Sequence, residues 1–117
     1  METLISKLRQ SPDSISFDEV MHIIQQHYVY TPTAFSNGKG NNIIVNVAGT
    51  NEGSCRIFAF AKLNNLTESE TLACFGHHYR DDVLRNPEGS DHSNIRTFMR
   101  FGWAGISFAG NALSPLT

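Results

Sequence analysis

The segment "SCRIFAFAKLNNL", residues 54–66, constrains this chain more than any other. Ile57, Phe58, Phe60, Ala61 and Leu63 fall at helical spacing and leave little room for a polar face, so the segment predicts a central, well-buried helix. The chain has 117 residues, enough for one hydrophobic core and too few for two comfortable domains. The expectation is therefore a single domain, residues 1–117, wrapped around this helix.

The other elements follow from local signals. Leu4, Ile5 and Leu8 predict a first helix that ends before Pro12. "SFDE" at 16–19 is a capping box, with Ile15 and Val20 placed as its hydrophobic staple. It opens a helix over 17–28 with Phe17, Val20, Met21, Ile24 and Tyr28 on one face. "TESE" at 67–70 is a second capping box, opening a helix to about Phe75, with Gly76 past its end. A shorter helix is expected over 77–85, and "NPEG" at 86–89 reads as a type I turn. Ser90 or Asp91 is then expected to cap a last helix carrying Ile95, Phe98 and Met99, closed by Gly102.

Between these helices the pattern changes to strands. Asn37-Gly38 is a turn signal between β-rich runs, which predicts a hairpin of about 29–36 with 42–47. Pro32 places the first strand at an edge, and Ile43, Val45 and Val47 would share one face. "GISFAG" alternates Ile106 and Phe108, as a short strand joining that sheet would. The fold class expected is α+β: about five helices packed with a small antiparallel sheet.

Composition narrows the function classes. Apolar residues make up 40% and charged residues 17%, and the net charge is −2, so no basic field draws the chain to nucleic acid or acidic lipid. No apolar run approaches the roughly 18 residues that span a bilayer. The opening "METLISKLRQSPDS" lacks the parts of a secretory signal, so folding in the cytoplasm is the expectation. Cys55 and Cys74 lack a CxxC spacing and read as free thiols. No cofactor is expected.

Chemistry concentrates in "CFGHHYRDDV", residues 74–83. On a helix His77 lies one turn from Asp81 and His78 one turn from Asp82. Each such pair supplies two ligands of the three that a zinc site needs, and His92 or Asp91 would have to supply the third. The metal candidates are thus His77, His78 and His92. The plainer reading makes Tyr79 and Val83 the buried stripe and leaves His77, Asp81 and Arg85 solvated. Cys55 stands within about a turn of a predicted helix start, where a thiol pKa falls, so Cys55, His78 and Asp82 are the catalytic candidates. Its plainer reading is a buried core cysteine. "NEGS" at 51–54 offers helix-start amides to an anion but lacks a P-loop's spacing, and an ordinary cap explains it. Trp103 is expected in the core with its indole N–H satisfied, His27 packed and hydrogen-bonded, and His22 solvated. Tyr28, Tyr30 and Phe35 could line a groove or fill the core equally well.

From Phe17 onward the chain resembles the HopJ type III effector family, through "YTPTAF", "GSCRIFAFA" and "NPEG…DHSNIRTFMRFGW". Where "VVNEAG" would be more typical this chain reads "IVNVAG", so Val47 replaces an acidic residue. The resemblance implies a bacterial protein secreted into host cells as a virulence factor; it carries over no catalytic set. The leading expectation is a small non-enzymatic module that binds a protein partner. The alternatives are a Cys55-dependent enzyme and a His/Asp metal-binding protein.

Overall fold

The computed structural model describes residues 1–116. Five α-helices surround and support one core: α1 (Glu2–Gln10), α2 (Phe17–His27), α3 (Glu52–Leu63), α4 (Glu68–Ala73) and α5 (Ser93–Phe101). Helix α3 is central: Cys55, Ile57, Phe58, Phe60 and Ala61 are each 1% exposed or less, whereas Leu63, expected in the buried set, is 51% exposed at the helix's last residue. The Phe58 ring meets Phe35, Phe75, Phe98 and Trp103 at centroid distances of 5.8, 5.5, 5.0 and 6.4 Å. The Trp103 indole N–H donates to the Leu66 carbonyl at 3.1 Å, so the ring joins the core without an unpaired donor.

Both capping boxes form. The Glu19 amide donates to Ser16 Oγ at 3.1 Å and the Ser16 amide to Glu19 Oε1 at 2.8 Å. The Glu70 amide donates to Thr67 Oγ1 at 3.1 Å and the Thr67 amide to Glu70 Oε1 at 2.9 Å. Ile15 and Val20 are fully buried beside the first box.

The strands depart from a simple hairpin. β1 (Tyr28–Tyr30) pairs antiparallel with β5 (Leu113–Pro115), in a ladder of its own. β2 (Phe35–Asn37) pairs with β3 (Ile44–Asn46) and with β4 (Ser107–Phe108), giving the order β3-β2-β4. The predicted first strand is therefore cut in two around Pro32, which cannot donate to a ladder. Phe35 stands opposite both Asn46 and Phe108.

The faces of β3 also surprise. Ile43, Val45 and Val47 are 50, 72 and 60% exposed, whereas Asn46 is 1% exposed. The shared apolar face expected from the sequence exists, but it looks outward, and an asparagine looks into the core.

Candidate functional site

Asn46 faces inward because it is the hub of a polar clamp. Its Oδ1 accepts from Asn51 Nδ2 at 2.7 Å and from Asn94 Nδ2 at 2.8 Å. Its own Nδ2 lies 3.3 Å from both the Phe35 carbonyl and Asn94 Oδ1. Asn37 Nδ2 donates to the Asn94 carbonyl at 2.9 Å. Four asparagines thus tie β2 and β3 to the starts of α3 and α5. Buried amides are as a rule paired in this way, and in the clamp Asn37 Oδ1 is left without a partner among the described residues.

The clamp leaves both helix starts open. Asn51 precedes α3 and His92 precedes α5, each with left-handed backbone, at φ +48° and +51°, and neither side chain closes its helix's first turn. The ordinary cap expected at "NEGS" and the Ser90 or Asp91 cap expected for α5 are therefore absent among the described residues. Asn51 is spent on Asn46. Asp91 Oδ1 instead accepts from Arg96 Nη2 at 2.6 Å. First-turn N–H groups have no carbonyl within their own helix. Between the two starts lies a cleft of about 330 Å³, lined by Gly53, Ser54, Ser93, Asn94, His78 and His92 among others.

The histidines arrive by a tight turn. Gly76 has φ +59°, and a Cβ there would stand 2.6 Å from the Phe17 amide nitrogen, so only glycine lets the chain pass under α2. Residues His78–Val83 then form a π-helical turn in place of the α-helix expected, with Leu84 N donating to the Tyr79 carbonyl at 2.9 Å. The expected His77–Asp81 pair does not form: Asp81 lies 3.6 Å from Arg85 Nε. His78 Nδ1 does approach Asp82 Oδ2, at 3.6 Å, and His92 Nε2 lies 3.0 Å from the same oxygen. The His78 ring meets those of His77 and His92 at centroid distances of 4.1 and 5.0 Å, and Phe17 edge-on at 4.9 Å. Val83 is buried, Tyr79 packs partly against the core, and His77, Asp81 and Arg85 are exposed.

The electrostatics separate the two imidazole contacts. The hydrogen bond from His92 holds the Asp82 carboxyl below its ordinary range, with smaller help from His78 and His77. Burial lowers the His78 pKa, and neighbouring His77 and His92 lower it further against the pull of Asp82. At neutral pH, His78 against Asp82 is therefore a neutral imidazole beside a carboxylate, and no ion pair. Its Nδ1 is buried without a hydrogen-bond partner among the described residues.

Cys55 lies in different surroundings. It is 1% exposed, and its Sγ donates to the Thr33 carbonyl at 3.5 Å. Burial raises its pKa, and the polar groups acting on it are Tyr30, Thr33, Arg56 and Glu52, with no histidine among them. The Arg56 guanidinium covers the Tyr30 ring at 4.0 Å. The geometry thus gathers His78 and Asp82 with His77 and His92 and sets a protonated thiol apart from them. Cys74 is fully buried and pushed up to about 12. His22 and His27 are both exposed, so the packed His27 expected from the sequence is not found. Phe35 is core, while Tyr28, itself mostly buried, lines a groove together with Tyr30 and Arg56.

Asn37, Asn46, Asn51 and Asn94 escaped the sequence reading as site-shaping residues. The one available signal was Asn46 itself, an amide interrupting the β-branched run "IIVNV".

No curated protein matches this chain. The solved structure of VPA0580, a protein of unknown function, superposes with a TM-score of 0.93 at 47% sequence identity, over 98% of this chain and 92% of that one. The model of the HopJ type III effector protein family matches residues 1–113. This chain belongs to the HopJ type III effector protein family.

Proposed function

We propose that this domain is a non-enzymatic binding module and that the cleft between the starts of α3 and α5 is where its partner docks. One observation carries the reading: two uncapped helix starts, held together by the asparagine clamp, open onto one cleft beside His78 and His92. Helix-start N–H groups favour acceptors and negative charge, so the fitting ligand is a carboxylate or similar acceptor on a partner polypeptide. The buried, protonated Cys55 thiol supports binding over thiol chemistry, because the thiolate is the nucleophile. The exposed face of Ile43, Val45 and Val47, on and flanking edge strand β3, adds an apolar contact that a protein partner, more than a small metabolite, would cover.

Selection from a random-peptide display library tests this. Enriched peptides should carry an acidic residue, bind Cys55→Ser like the parent and lose affinity for His92→Ala. Peptides indifferent to His92, or turnover of a substrate that requires Cys55, would refute it. Among the described residues no helix is long and apolar enough to cross a membrane. Export by a type III system is part of the proposal, supported by the family's description; a reporter fused to the chain and measured in host cells, with and without a working secretion system, decides it.

A further inference from the structure

The geometry points to a divalent transition-metal site at the mouth of the cleft, held by His77, His78 and Asp82, with His92 orienting the carboxylate. This rests on, and deepens, the reading of the cleft as the binding site. One potential ligand atom from each of His77, His78 and Asp82 lies within 4.8 Å of the other two. An ion with bonds of about 2.0–2.2 Å to nitrogen and oxygen sets neighbouring ligand atoms about 3.3 Å apart. The set is therefore open by at most about 1.5 Å, which the exposed His77 ring and the half-exposed Asp82 carboxylate close by side-chain rotation.

Three features of the surroundings suit an ion. His78 Nδ1 is buried, lacks a hydrogen-bond partner among the described residues and already stands 3.6 Å from Asp82 Oδ2. Phe17 packs edge-on against that ring and fixes its plane. His92 Nε2 holds Asp82 Oδ2 at 3.0 Å, the outer-shell contact that orients a ligating carboxylate. Two imidazoles and one carboxylate suit zinc and its first-row neighbours over magnesium or calcium, which take oxygen. Three protein ligands leave a coordination position open, and because His78 lines the same cleft as both helix starts, a partner's acceptor group seated there would complete the metal's shell.

Protein purified without an affinity tag is titrated with zinc in a calorimeter and with cobalt under visible absorption, which reports its coordination. The expected result is one ion per chain, with binding abolished in the His78→Ala/Asp82→Asn double variant and unchanged in His22→Ala. His92→Ala should weaken it about ten- to a hundredfold. Circular dichroism verifies that each variant is folded. No zinc binding by the parent chain, or equal binding by the double variant, overturns the site. Peptide selection repeated with a chelator separates the two claims. Cleft-directed peptides without zinc binding refute the metal alone, whereas zinc binding with peptides indifferent to the cleft refutes the docking reading and leaves the metal.

Discussion

Exchanging the two neighbours on β3 should have opposite consequences to those an alternating strand pattern suggests. Asn46→Val looks mild in a β-branched run, yet it removes the hub of the clamp. It loses two short hydrogen bonds, from Asn51 at 2.7 Å and Asn94 at 2.8 Å, and leaves the Asn94 amide buried with no replacement for that acceptor. At about 1 kcal/mol per bond and about 1–3 kcal/mol for a stranded buried donor, the cost is about 3 kcal/mol. Unfolding entropy of about 2.1 cal/mol/K per residue makes that a fall of roughly 12 °C in Tm for a chain of 117 residues. Val45→Asn touches a side chain 72% exposed and should stay within about 0.5 kcal/mol. Because Asn46 and Asn94 share their bonds, the Asn46→Val and Asn94→Ala costs should be non-additive by about 1 kcal/mol or more. Thermal and urea unfolding of the four variants measures all of this. A neutral Asn46→Val with a costly Val45→Asn would mean the strand faces are reversed, and strict additivity would mean there is no clamp.

Iodoacetamide should leave both thiols untouched in the native protein and label them only after denaturation; native labelling of Cys55 with an apparent pKa below about 8.5 contradicts this. Burial raises Cys74 from 9.0 to about 12, so the unfolded chain loses that proton first, and stability should fall as pH rises through this window, less so in Cys74→Ala compared with its own neutral-pH value. The lowered Asp82 pKa acts oppositely: its contribution is present above the ordinary value of 3.8 and is lost as pH falls through the lower folded value, so Asp82→Asn should flatten the acid limb of the stability curve. Gly76→Ala meets both a left-handed backbone and the Phe17 amide nitrogen, and should cost more than about 1 kcal/mol in chemical denaturation. Thr67→Ala should cost about 1 kcal/mol, the worth of one cap.

The parts of this fold legible in the sequence are those fixed by neighbours along the chain. Ser16 and Glu19, Thr67 and Glu70, and the apolar spacing of α3 each act within a turn or two, and each appears where its pattern sits. What escaped depends on partners far away. Asn46 turns inward because Asn94, 48 positions on, receives it, so the apolar Ile43, Val45 and Val47 had to turn out. Tyr28–Tyr30 pairs with the far end of the chain, which no local turn signal encodes. Of the candidate site, the grouping of His78, Asp82 and His92 was visible as composition within a short stretch. What was not visible is the π turn over His78–Val83, with Leu84 N donating to the Tyr79 carbonyl, and the approach of His92 to Asp82 from beyond the following turn.

The most direct test of the account is an amide-resolved ¹H–¹⁵N NMR titration of the intact chain with the best-enriched acidic peptide. The account predicts that the largest shifts fall on Gly53, Ser54, Ser93 and Asn94, the two helix starts lining the cleft. Shifts centred on Tyr30, Cys55 and Arg56, with the cleft amides unmoved, would contradict it and return the thiol to the centre of the function.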